Sequence, residues 1–194
     1  VIIVKKLNAE EDWTVLNMNL SGEAEKYLVL NTDGSVQDSS TTFNDTDPTS
    51  TVFSVGTAGS TNGSSATYVA YCWNAVQGFS KFGKYTGNGN ADGPFVYTGF
   101  RPAYILIKNT EAAKNWQIYD NKRSGYNKDN DQLFANTTAV EDTAEDALDI
   151  LSNGFKLRVN SDPVNLSGDV MIYAAFAEAP VSYTHLRAHE TDSY

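Results

Sequence analysis

Residues 2–17 read IIVKKLNAEEDWTVLN and residues 106–120 read LIKNTEAAKNWQIYD. Lys5 and Lys108 stand 103 residues apart, and so do Trp13 and Trp116. Further along, Asn31-Thr32 matches Asn136-Thr137 at an offset of 105, Phe53 matches Phe155 at 102, Asn62 matches Asn165 at 103, and Ala70 matches Ala174 at 104. Small loop insertions account for such drift. The pattern predicts two copies of a unit of about 103 residues, the first lacking its opening strand. A period this long implies tandem domains, because solenoid repeats run only about 20–50 residues. The expected domains are 1–76 for the first unit and 77–180 for the second.

Within each unit the local signals are those of β-structure. Tyr27–Leu30, Thr67–Trp73, Phe95–Tyr97, Ala103–Lys108, Trp116–Tyr119, Gly154–Val159 and Val170–Phe176 are short aromatic or β-branched runs. Clusters of Gly, Asn, Asp, Ser and Thr separate them, as in 31–40, 57–65 and 87–93. The fold class expected is therefore all-β: two tandem antiparallel β-sandwich units. One helical candidate, Thr138–Leu151, carries Ala, Glu and Leu but is weakened by its Asp content.

Composition bounds the function. The chain has 194 residues, 41% apolar and 12% aromatic, which suits a buried core better than a disordered chain. Its net charge of −10 repels nucleic acid and anionic lipid, so neither is an expected partner. No apolar run approaches the ~18 residues of a membrane span. The single cysteine, Cys72, excludes a disulfide framework or a Cys-based zinc site within one chain.

The end of the chain reads differently. Val181–Thr191, VSYTHLRAHET, resembles codon for codon the translation of a transposon-end sequencing adaptor, so residues 181–194 are set aside as a non-native tail. That tail holds both histidines, His185 and His189, whose spacing would otherwise suggest a metal site. Without it the chain keeps 13 basic and 22 acidic residues and no histidine, so Ser-His-Asp and Cys-His catalysis lack a base. Val1-Ile2-Ile3-Val4 reads as a strand already under way. The expectation is an open-ended fragment of environmental sequence.

The stretch GFSKFGKYTGNGNADGPFVYTGFRPAYILIKN, residues 78–109, followed by NWQIYDNKR, LFANTTAVED, LSNGFKLR and MIYAAFAE, resembles an uncharacterised tandem repeat family of bacteriophage genomes. DWTVLN, YLVLNT, DPTSTVFSVG and YVAYCWNAVQGFSKFG are similar to the other repeat variant of that family. The resemblance implies a lectin-like, jelly-roll-like sandwich in a virion structural protein, a tail fibre or appendage segment. It also implies partners among identical chains or other virion proteins, contact with a host-surface glycan, and a location on the virion. It supplies no catalytic residue, and an enzyme is not expected. The competing reading is a carbohydrate-binding module of a secreted or surface protein.

The candidate ligand-binding residues are Trp73 and Arg123. Exposed aromatic rings stack on the apolar faces of sugars. The alternation Trp13-Thr14-Val15 and Trp116-Gln117-Ile118 places those two tryptophans on the core side. Trp73, opposite Ala177 in the alignment, is the tryptophan expected at the surface. Arg123 ends the basic run Asp120-Asn121-Lys122-Arg123 and can grip a carboxylate of a partner or an acidic sugar; its bland alternative is a solvated strand-end turn. Cys72, aligned with Phe176, reads as a packing position. Asn88–Gly93 begins like a calcium loop, but Asn88 replaces the first Asp and Gly99 the final Glu, so a tight turn is the better reading. No cofactor is expected, although the overall charge leaves calcium open elsewhere. Glu141, Asp142, Glu145, Asp146 and Asp149 read as a solvated acidic face rather than a glycosidase pair. Asn31 and Asn136 are expected to cap turns.

Overall fold

The computed structural model describes residues 1–20, 23–123, 127, 131–160 and 162–179; the two histidines of the tail lie outside them. The first five strands are β1 (Ile2–Lys6), β2 (Trp13–Leu16), β3 (Lys26–Val29), β4 (Gln37–Asp38) and β5 (Tyr68–Cys72). They are followed by β6 (Ser80–Thr86), β7 (Phe95–Tyr97), β8 (Pro102–Asn109), β9 (Gln117–Asp120), β10 (Leu133–Phe134), β11 (Leu148–Leu151), β12 (Gly154–Leu157) and β13 (Val170–Ala177). Three one-turn helices, α1 (Ser40–Phe43), α2 (Gly59–Asn62) and α3 (Asp162–Asn165), decorate them. The described chain is thus mostly β, as the alternating short runs predict.

All pairings between these strands are antiparallel, in three sheets. The first sheet has the order β4-β3-β2-β1-β5, the second β10-β9-β8-β13-β6, and the third β11-β12-β7. Side chains alternate across a strand, and that alternation builds the layers. On one face of the first sheet Ile2, Val4 and Leu16 pack with Ala24 and Phe43. On its other face Val15 and Leu28 meet Trp116 and Ile172 of the second sheet. Met171, Tyr173 and Ala175 leave the opposite side of β13 and pack with Ile105, Ile107 and Tyr119 against Val96, Leu148, Ile150, Phe155 and Leu157. The second sheet is therefore covered on both faces, which is why β8 and β13 read as near-continuous apolar runs. Each large side chain so buried contributes about 1.5–3 kcal/mol.

Polar contacts also fasten the first sheet to the second. The Trp116 indole N–H donates to the Val29 carbonyl at 2.9 Å. The Val36 amide donates to the Thr110 carbonyl, also at 2.9 Å.

The helix expected at 138–151 does not form. Leu148–Leu151 is instead strand β11, paired with β12 through Leu148↔Leu157 and Ile150↔Phe155. Burial of Leu148 and Ile150 at period two outweighs the helix propensity of the Ala and Glu before them. Conversely, a helical turn forms where none was expected. Ser39 accepts from the Thr41 amide to cap α1, and Asn44 closes it in the left-handed region at φ 59°. Strand β6 also escaped prediction. Its Gly83 lies under the Tyr173 ring, where an added Cβ would come within 2.6 Å of the hydroxyl.

Candidate functional site

Trp13 on β2 lies opposite Lys5, and Tyr71 on β5 lies opposite Ile3. Trp73 follows β5 and exchanges backbone hydrogen bonds with Val1 at 2.9 and 3.0 Å. Tyr71 and Trp73 are two residues apart on an extended segment, so their side chains leave the same face. The rings form a row: Trp13 and Tyr71 have centroids 6.3 Å apart and planes 23° apart. Tyr71 and Trp73 have centroids 5.9 Å apart and planes 18° apart. Tyr71 is 44% exposed and Trp73 38%. The Lys5 ammonium, which donates to the Glu11 carbonyl, sits 6.0 Å from the Trp13 ring centroid.

Trp73 also walls a cleft of about 400 Å³, whose apolar lining includes Leu16, Met18, Val52 and Phe53, with Thr49, Ser50, Thr51 and Asn74 supplying polar groups. Aromatic faces beside hydroxyl and amide groups suit a ligand with both apolar faces and hydroxyls.

The surface placement of Trp73 agrees with the sequence reading, whereas that of Trp13 does not. Trp116 is 3% exposed and lies in the core. Trp13 is half-buried, because the apolar layer between the first two sheets includes Val15 but not Trp13. The missing signal was Tyr71: Tyr71-Cys72-Trp73 puts two aromatics on one face of one strand. Cys72 is exposed and borders the cleft rather than filling the core.

Arg123 sits at the end of β9, in the second sheet. Its guanidinium donates to Asp120 Oδ2 at 2.8 Å, Glu141 Oε1 at 2.7 Å and the Ile118 carbonyl at 3.1 Å. Its charged partners hold the guanidinium pKa above its usual value, although burial opposes them. Asp120 is held below the usual carboxylate range by the same pair, against its own burial. A ligand carboxylate at Arg123 must compete with both acids.

Asp142 and Asp149 are also engaged. Asp142 accepts from Gln132 Nε2 at 3.0 Å and from the Ala144 amide at 2.9 Å, and these bonds lower its pKa. Asp149 pairs with Arg158. In the Asn88–Gly93 loop the side chains bond within the loop and to Asn165, while Asp92 pairs with Lys156 at 2.8 Å. Among the described residues no cluster of three or more His, Cys, Asp or Glu is placed to hold a metal. Asn31 and Asn136 accept from the Trp13 and Trp116 amides at 2.8 and 3.0 Å. They thus tie two neighbouring strands together rather than reaching outward.

Lys108 is fully buried. Its ammonium donates to the carbonyls of Asn109 at 2.8 Å and Asp33 at 3.1 Å, the second bond crossing to the first sheet. Burial lowers its pKa to about 8, with the Asp33 carboxylate opposing. Below pH 8 the folded and unfolded chains both carry this proton. Between about 8 and 10.5 only the unfolded chain keeps it, so stability rises with pH across that window. The rise is on the order of 3 kcal/mol at ~1.4 kcal/mol per unit. Urea unfolding at pH 7.5 and 10 is expected to show this gain in the wild type relative to Lys108→Met; equal slopes would refute it.

The chain belongs to the DUF7483 family, a domain of unknown function whose model matches residues 1–180. No curated protein and no solved structure matches the chain.

Proposed function

We propose that this member of the DUF7483 family is a non-catalytic virion structural segment, two tandem β units of a tail fibre or appendage that act as scaffold and host-surface contact. The observation that carries the reading is a strand order and register that recur. Ile3 lies between Val15 and Tyr71, and Leu106, 103 residues on, lies between Ile118 and Ala174, each also displaced by 103. Asn31 on the Trp13 amide recurs as Asn136 on the Trp116 amide. Leu30 donating to the Trp13 carbonyl recurs as Ala135 donating to that of Trp116. This register sets Cys72 against Ala175 and Trp73 against Phe176, one residue away from the alignment drawn on sequence.

Scaffolding follows from the shared apolar layer, since units joined by Val15, Leu28, Trp116 and Ile172 hold a fixed spacing. The virion assignment draws on the resemblance of residues 78–109 to phage repeat proteins. Portal, terminase or tail genes beside the coding sequence are the expected finding. Polysaccharide turnover abolished by a single carboxylate change would overturn the non-catalytic reading.

The second reading, a carbohydrate-binding module, is favoured by the row Trp13–Tyr71–Trp73. On a glycan array, saturable binding that weakens at least about tenfold in Trp73→Ala is the expected result, corresponding to about 1.4 kcal/mol of stacking. Binding indifferent to that change would remove the row from recognition.

A further inference from the structure

Gln117 opens β9, opposite Ile107 of β8 and Phe134 of β10. It shares a sheet face with Tyr119, two residues on. Tyr119 and Ile107 belong to the apolar layer beneath the third sheet, whereas Gln117 stands outside that layer. It is nonetheless 2% exposed. Its Nε2 donates to the Asn115 carbonyl at 3.4 Å. A carbonyl can only accept, so this contact fixes the orientation of the side-chain amide. Its Oε1 is buried with no hydrogen-bond partner among the described residues. Buried acceptors are almost always paired, because an unmade bond costs the full desolvation of the group. An acceptor that the fold buries and leaves open implies a donor from outside the fold.

Gln117 lines a cleft of about 320 Å³, near the lower end of the range of about 300–1,000 Å³ for small-molecule sites. The polar groups there mostly accept. Asp142 takes one hydrogen bond on each carboxylate oxygen, from the Ala144 amide and from Gln132 Nε2, and each oxygen keeps a second lone pair. Gln132 is held in turn by the Tyr119 hydroxyl, which donates to its Oε1 at 3.0 Å. Glu145 adds an exposed carboxylate. Asp33 adds another from the loop after β3, anchored by the bond from Lys108 to the Asp33 carbonyl. Lys114 is the one cation among the described residues that line the cleft. Phe134, half-buried, supplies a ring. Three carboxylates favour a cation, the open amide oxygen favours a hydroxyl, and the ring favours an apolar face.

We propose that this cleft binds an amino sugar. The protonated amine sits among Asp33, Asp142 and Glu145, a ring hydroxyl donates to Gln117 Oε1, and the apolar face of the sugar lies on Phe134. The site goes beyond both readings of function given above. It shares no residue with the row Trp13–Tyr71–Trp73, so either can fail alone.

The test titrates glucosamine into the full chain at about pH 6, where its amine is charged. Glucose and putrescine serve as probes that carry only the hydroxyls or only the ammonium groups. Calorimetry reads the affinity, and the side-chain amide resonances of Gln117 report the site. Saturable shifts of those resonances with glucosamine are expected, with glucose and putrescine each binding at least about tenfold more weakly. Glu145→Gln, at an exposed position, is expected to weaken glucosamine by at least about threefold. Gln117→Leu is expected to abolish binding and to leave the thermal midpoint unchanged or raised, because it removes an acceptor that the fold does not use. Equal affinity for glucose shows that the charge is not read, equal affinity for putrescine that the hydroxyls are not, and either result overturns the proposal. So does a glucosamine titration that leaves the Gln117 amide unmoved, or an affinity untouched by Glu145→Gln. A lowered midpoint or unfolding in Gln117→Leu would give that residue a structural role and overturn it too.

Discussion

Trp116→Ala is expected to lower the unfolding free energy by about 3–5 kcal/mol, the range for deleting a large buried aromatic. The indole is 3% exposed and packs with Val15, Leu28 and Ile172, residues drawn from both sheets it joins. Its N–H also satisfies the Val29 carbonyl at 2.9 Å, and a buried carbonyl stripped of its donor adds a penalty of about 1–3 kcal/mol. Trp116→Phe separates the two contributions: it keeps most of the apolar contact, loses the hydrogen bond, and is expected to cost about 1–2 kcal/mol. Urea unfolding followed by circular dichroism measures both. A double-mutant cycle with Val15→Ala, on the facing sheet, should show coupling above about 0.5 kcal/mol. A loss below about 1 kcal/mol for Trp116→Ala would mean that the layer does not hold the sheets together.

Asn165→Ala is expected to cost about 3 kcal/mol, from part-buried hydrogen bonds lost at about 0.5–1.5 kcal/mol each. Asn165 is fully buried at the end of α3. Its Oδ1 accepts from the Asn88 amide at 2.9 Å, and its Nδ2 lies within 3.1 Å of Asn88 Oδ1, the Asn90 carbonyl and the Val159 carbonyl. One side-chain amide therefore organises the whole Asn88–Gly93 turn from within. Gly93 is needed there because a Cβ would come within 2.6 Å of Leu157. The thermal midpoint of Asn165→Ala with and without millimolar calcium decides between the two readings of the loop. A turn held by Asn165 gives a lowered midpoint that calcium leaves alone, whereas calcium rescue would make the loop a cation site after all.

What the sequence disclosed and what it hid have distinct physical origins. Burial of both faces of the second sheet writes itself into Val170–Ala177 and Pro102–Asn109 as continuous apolar runs, legible without coordinates. The Trp-to-Asn spacing was equally legible, because each asparagine must reach the amide of its tryptophan. Strand β6 was hidden by Lys81, Lys84 and Gly83, which suit an edge facing water and a crowded ring rather than a typical strand. The segment before β11 misled because Ala and Glu favour a helix locally, while Glu141 and Asp142 are in fact spent on Arg123 and Gln132. Of the two candidate ligand residues, Trp73 was readable from its own strand. The bonds that occupy Arg123 were only half readable: Asp120 lies three positions away, but Glu141 arrives from eighteen positions down the chain.

The positions of β1 and β13 set how the molecule would bear load. Each lies inside its sheet, β1 between β2 and β5, β13 between β8 and β6. Tension drawn between Ile2 and Ala177 meets two flanking ladders at either end, and both must give way before the strand slides free. A chain built this way resists stretching at its anchor points, so extension would begin in the intervening loops.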